Sequence, residues 1–132
     1  MTTSQELIVA LEKATGPDRE LDALIYCATN APPEGADKIW AVGVDVFWAG
    51  GTVKQGPLFL KGVNLPAYTS SIDAAMTLVP EGWYCVEILR DNEGEWVPRL
   101  HQNKRGLLSA HANHPRLSIA LCIAALKARD AK

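Results

Sequence analysis

Apolar side chains recur at helical spacing from the start of the chain. Leu7, Ile8, Leu11 and Ala14 fall on one face, and Gly16 ends the run. Thr3 and Glu6 have capping-box spacing, in which each side chain satisfies a backbone donor of the first turn. A second helix is predicted from Pro17, with Asp18 and Glu20 in its first turn and a stripe of Leu21, Leu24, Ile25 and Ala28. Ala31-Pro32-Pro33-Glu34-Gly35 breaks it as a loop. The period then changes to two. Trp40, Val42, Val44, Val46 and Trp48 alternate with Ile39, Ala41, Gly43, Asp45 and Phe47, which predicts one strand over 39–48, apolar and covered on both faces. A turn at Gly50-Gly51 leads into a weaker strand from Thr52 to Val63, broken by Gly56-Pro57. A short helix follows Pro66, opened by Ser70 with Asp73, and Pro80-Glu81-Gly82 ends it.

Two strands, Trp83 to Arg90 and Glu95 to His101, are predicted next, joined by an Asp91-Asn92-Glu93-Gly94 hairpin in which Gly94 supplies the positive φ. The last helix opens at Pro115 and runs to about Ala128, closed by Lys127 and Arg129. Leu117 and the run from Ile119 to Leu126 leave it almost no polar side, so it belongs in a core or a subunit contact. The order predicts one α+β domain over residues 1–132: an antiparallel sheet of about four strands with helices on both faces, an α-β-α sandwich. The apolar helix and the doubly apolar strand offer more hydrophobic face than one small domain covers, which predicts a homo-oligomer.

A chain of 132 residues with 48% hydrophobic and 21% charged side chains has ordinary globular composition, with no membrane-spanning run and no N-terminal secretory signal. The cysteines Cys27, Cys85 and Cys122 lie in apolar segments and read as reduced thiols, so a cytoplasmic setting is expected. The net charge of −2 argues against a dedicated DNA-binding protein. Its distribution says more. Residues 1–50 hold eight acids and three bases, whereas Trp96 to Arg116 holds Arg99, Lys104, Arg105, Arg116 and all three histidines without one acid.

That stretch is the best functional candidate, because a field of donors ending at a helix start suits an anion. Arg105, His114, Arg116 and Arg99 are the expected contacts, aided by the hydroxyls of Tyr68, Thr69 and Ser70 at the start of another helix. Its bland alternative is a solvated basic loop. Arg19 and Asp22, three apart, read as a local ion pair. His101, His111 and His114 lack the further ligands a zinc site needs and read as loop histidines. No phosphate loop, G-x-G-x-x-G, HExxH or paired CxxC is present, so neither metal nor cofactor is expected, and no catalytic residue is assigned.

Three segments carry a resemblance: Ala14-Thr15-Gly16-Pro17-Asp18-Arg19-Glu20-Leu21-Asp22, Pro66-Ala67-Tyr68-Thr69-Ser70-Ser71-Ile72-Asp73-Ala74-Ala75, and Leu121-Cys122-Ile123-Ala124-Ala125-Leu126-Lys127-Ala128. With Gly82-Trp83 they resemble the phage ABA sandwich domain family, small proteins of tailed bacteriophages and prophages. The resemblance implies a sheet between two helical layers and brings no catalytic residues. His114-Pro115-Arg116 departs from the Thr-Pro with which members often start the last helix, and the 50–63 insert is particular to this chain. Together these readings give a small non-enzymatic phage accessory protein that binds and sequesters a nucleotide-type signal of host defence. The alternatives are a protein-interaction module and a hydrolase using a loop histidine.

Overall fold

The computed structural model describes residues 4–30, 38–49, 58–60, 64–102 and 109–130. Helix α1 spans Ser4–Lys13 and buries Leu7, Ile8 and Leu11, as its spacing predicts. Helix α2 spans Arg19–Thr29. Asp18 is its N-cap, not a first-turn residue, and its carboxylate accepts from the Glu20 and Leu21 N–H groups. Thr3, the 31–35 loop and the Gly50-Gly51 turn lie outside the described residues.

The segment read as one strand is a hairpin. Strand β1, Lys38–Val42, pairs antiparallel with β2, Asp45–Ala49, which in turn pairs with β3, Leu58–Leu60. Gly43 adopts φ 61°. A two-residue loop with glycine at the first central position is the II′ arrangement, whose twist matches the strands it joins. Apolar alternation passes through the turn undisturbed because Val44 is itself apolar, and the period alone hides the reversal. Coverage also differs from expectation: Trp40, Val42 and Val44 are exposed, with Trp40 stacked on Phe47 at 6.2 Å.

Helix α3, Ile72–Met76, is capped by Ser71, one residue beyond the expected Ser70. Strands β4, Trp83–Arg90, and β5, Trp96–Gln102, form the predicted hairpin with Gly94 at φ 83°. A third strand, β6, Ser109–His111, pairs with β5 in place of the expected loop. The class is mixed α and β with antiparallel strands, and the described strands divide between two three-stranded sheets, β1-β2-β3 and β4-β5-β6, in place of the single expected sheet.

Helix α4, Leu117–Asp130, is the hub. It packs on β5 and β6 and also on α1 and α3, so Ile119 through Leu126 are buried within one chain. Its apolar circumference therefore supplies core and gives no ground for a subunit contact. Small side chains permit the close approach: Ala110 and Ala112 face it from the sheet side, and Ala120, Ala124, Ala125 and Ala128 come from the helix. A separate small cluster of Ala23, Ile39, Val46 and Leu65 ties α2 to the β1–β3 sheet. No helix among the described residues is long and apolar enough to cross a membrane.

A Cβ at Gly43 would meet nothing within 4 Å, so a substitution there acts through the backbone alone. Gly43→Ala is expected to cost about 1 kcal/mol, the order for a side chain held at positive φ. A chemical-denaturation midpoint equal to that of the wild type would refute the hairpin turn.

Candidate functional site

The register of the β4–β6 sheet sorts its side chains into rows. Cys85, Leu100 and Ala110 share one row and face α4. Tyr84, His101 and Ser109 form a row on the opposite face, and Glu87, Arg99 and His111 form the next. A bulge between Cys85 and Glu87 shifts the alternation of β4, which is why an even and an odd position share that outward face. Pro98 has no N–H to give the ladder, and beyond it pairing resumes only at the Trp96–His114 bridge.

Arg99 and His111 are thus direct cross-strand neighbours, close enough to act on one group. With Leu89, Arg90, Asp91, Val97 and Asn113 they line a shallow concavity of about 330 Å³ on the outward face. The Arg99 guanidinium donates to Glu87 Oε1 at 3.0 Å, which uses one of its five donors. Arg90 lies over the Trp96 ring at 4.8 Å and donates to the Gly94 carbonyl. Asp91 is spent on the hairpin: Oδ1 accepts from the Glu93 and Glu95 N–H groups at 2.9 Å, and Oδ2 accepts from the Asn113 amide at 3.0 Å. The chemistry on offer is an apolar floor of Leu89 and Val97 beside an imidazole, a guanidinium already paired with Glu87, and the Asp91 carboxylate.

The other expected contacts lie elsewhere. Arg105 and Lys104 are outside the described residues. His114 is not a loop histidine: it is 3% exposed, its Nδ1 accepts the Arg116 N–H at 2.9 Å, and its Nε2 lies 2.7 Å from the Ala14 carbonyl. The two contacts assign Nε2 as the protonated nitrogen of a neutral ring. Arg116 is exposed and donates to the Thr15 carbonyl, with its guanidinium beside Gly16. His114 and Arg116 therefore meet at the start of α4, but both lean on the α1–α2 connection.

Thr69 is fully buried. Its hydroxyl donates to Asp22 Oδ1 at 2.8 Å and accepts from the Asp18 N–H at 2.9 Å, while its own N–H donates to the same Oδ1 at 2.8 Å. Arg19 completes the cluster as the expected ion pair, 2.8 Å from Asp22 Oδ2, and reaches the Leu65 carbonyl at 2.7 Å. Ser118 donates to the Thr69 carbonyl, and the Cys122 thiol donates to the Tyr68 carbonyl. Tyr68 is buried, and Ser70 turns its hydroxyl to the Ala67 carbonyl. The hydroxyl cluster thus divides into structural ties. Capping is the role that local sequence suggests for these hydroxyls, and it misses the buried Asp22. The signals for that partner, a Thr-Ser-Ser run and an acid on an apolar helix stripe, are both visible in the chain.

Burial pushes the Cys27 thiol up to about 11 and raises Cys85 and Cys122 as well, so all three free cysteines stay protonated near neutrality. No group of three or more metal-ligating side chains occurs among the described residues. No protein-family model, curated protein or solved structure matches the chain.

Two outcomes separate structural from binding groups. Thr69→Val removes a donor from a buried carboxylate and should cost about 1–3 kcal/mol in denaturant unfolding, whereas Arg116→Ala should stay within about 0.5 kcal/mol. Equal effects would overturn the division. The Glu95 N–H, followed by the Asn113 amide and the Glu93 N–H, holds the Asp91 carboxyl below its usual range. A depressed folded-state value gives stability that is present above the unfolded value and lost as pH falls through the folded one. Asp91→Asn should therefore flatten the acid limb of the unfolding midpoint against pH, and an unchanged slope would contradict this.

Proposed function

We propose that the chain is a non-enzymatic binding module that holds a small phosphorylated, nucleotide-type ligand in the concavity on the outward face of the β4–β6 sheet. The observation that carries this reading is the cross-strand pairing of Arg99 with His111 beside the apolar Leu89 and Val97. The anion would sit on the guanidinium and imidazole, and the ring portion on the apolar floor. About 330 Å³ lies at the lower end of the range for small-molecule sites and suits one nucleotide-sized ligand. The lining residues include no hydroxyl or thiol nucleophile beside the imidazole, which supports binding without turnover.

The resemblance to the phage ABA sandwich domain family supports placing this activity in a phage accessory protein that withdraws a host-defence signal in the host cytoplasm. A second reading, a protein-interaction module, is favoured by the exposed apolar run Tyr84, Val86, Ile88 and Leu89 on β4.

Calorimetric titration across mono- and cyclic nucleotides tests the first reading. Arg99→Ala and His111→Ala should each weaken binding, Arg99→Ala by about 10- to 150-fold, the loss expected for a charge-assisted contact of about 1.5–3 kcal/mol. Arg116→Ala should leave affinity unchanged; a loss there instead would return the anion to the start of α4. If the wild type binds no nucleotide below about a millimolar (a free energy of about −4 kcal/mol), the interaction reading takes over.

A further inference from the structure

Resting on the nucleotide reading above, we propose that the concavity selects a guanine base. Its two adjacent N–H groups meet oxygens of Asp91 and Asn113, while the phosphate of the same ligand lies on Arg99 and His111.

The two ends of the concavity offer a ligand opposite things. At one end Arg99 and His111 are cross-strand neighbours, and the guanidinium has donors beyond the one it gives Glu87. At the other end Asp91 and Asn113 are joined, the amide donating to Asp91 Oδ2 at 3.0 Å. Asp91 Oδ1 is spent on the Glu93 and Glu95 N–H groups, both at 2.9 Å. Oδ2 holds the Asn113 bond alone among the described residues, which leaves it a lone pair. The bond to Asp91 also orients the amide, since the reversed amide would set oxygen against oxygen. Asn113 therefore keeps its carbonyl oxygen as a second acceptor. The hairpin N–H groups that hold the Asp91 carboxyl below its usual range keep it ionised, and a carboxylate only accepts.

Spacing and base chemistry then choose the ligand. His111 and Asn113 are two residues apart on one extended path, which the Trp96–His114 bridge carries past Asn113. At the rise of a strand that is about 7 Å, which with the reach of the side chains leaves room for one sugar. Leu89 and Val97 oppose one another across β4 and β5 and supply the apolar surface between the two ends. A base set against two acceptors must present neighbouring donors. Guanine does so, with its ring N–H beside an exocyclic amine. Adenine and cytosine put a ring lone pair beside the amine, and uracil flanks its N–H with carbonyls, so each would aim an acceptor at the Asp91 carboxylate. A buried or half-buried acceptor left facing another acceptor loses its hydrogen bond and gains repulsion.

Calorimetric titration of the full chain with guanosine, inosine and adenosine monophosphates reads the selection directly. The guanosine ligand should bind about tenfold tighter than the inosine one, which lacks only the exocyclic amine, and tighter still than the adenosine one. Asp91→Asn should bring the three affinities together, whereas Arg99→Ala should weaken all three and keep their order. Should Asp91→Asn loosen the hairpin, Asn113→Ala at an exposed position makes the same comparison and should narrow the guanosine preference. Equal affinities for the three ligands, each lost with Arg99→Ala, overturn the guanine assignment and leave the nucleotide reading standing. A guanosine preference that survives both Asp91→Asn and Asn113→Ala overturns the placement of the base. If none of the three binds below about a millimolar, the nucleotide reading falls and the guanine assignment falls with it.

Discussion

Asp22 places a carboxylate where no water reaches it, and the arrangement around it must answer that charge. A lone buried carboxylate costs several kcal/mol, and removing the charged partner of a buried ion pair commonly costs about 3–5 kcal/mol. Three donors meet the demand: the Thr69 N–H and hydroxyl on one oxygen and the Arg19 guanidinium on the other. Those donors fix the chain locally. Arg19 also pins the Leu65 carbonyl, and Thr69 also receives the Asp18 N–H that precedes α2. Ser118 then reaches back to the Thr69 carbonyl, so the same cluster sets where α4 begins. His114 repeats the device one turn earlier, tying α4 to the Ala14 carbonyl. Placing α4 places the sheet, since α4 is the element through which α1 and α3 meet β5 and β6.

Much of this is legible in one dimension. The four helices and the β4–β5 hairpin follow from period, caps and a single glycine, because each is decided by residues near one another in the chain. The misreadings have a common source. Val44 in the β1–β2 turn is apolar, so the alternation carries through a reversal that only the positive φ of Gly43 betrays. Strand β6 is three residues long, too short for a periodic signal, and the Trp96–His114 bridge that extends it is set by pairing with β5. The expected single sheet fails for the same reason, since which strands pair is a non-local fact.

The candidate site shows the limit more sharply. Arg99, His111, His114 and Arg116 belong to one acid-free stretch, and charge alone groups them. Strand alternation divides them. In Ser109-Ala110-His111-Ala112-Asn113-His114 the even positions are buried and the odd ones exposed, so His111 looks outward while His114 looks toward the core. Small apolar residues at 110 and 112 carry that signal, and a histidine at the third buried position obscures it. Proximity of Arg99 to His111 comes from register, which no composition argument supplies.

The segments on which the phage-family resemblance rests meet in the buried network. Arg19 and Asp22 come from the first, Tyr68 and Thr69 from the second, and Cys122 from the third, with their contacts running to carbonyls and carboxylates of the fold. None of these groups lines the concavity. What the segments encode is therefore the placement of α2 and α4, an architectural requirement, and they say little about chemistry. The outward face of the β4–β6 sheet takes no part in that requirement. Its rows take no part in the Asp22 cluster, whose partners are Arg19, Thr69 and, through the Thr69 carbonyl, Ser118. The fold beneath Arg99, His111 and the β4 edge is a platform held in place by one buried charge.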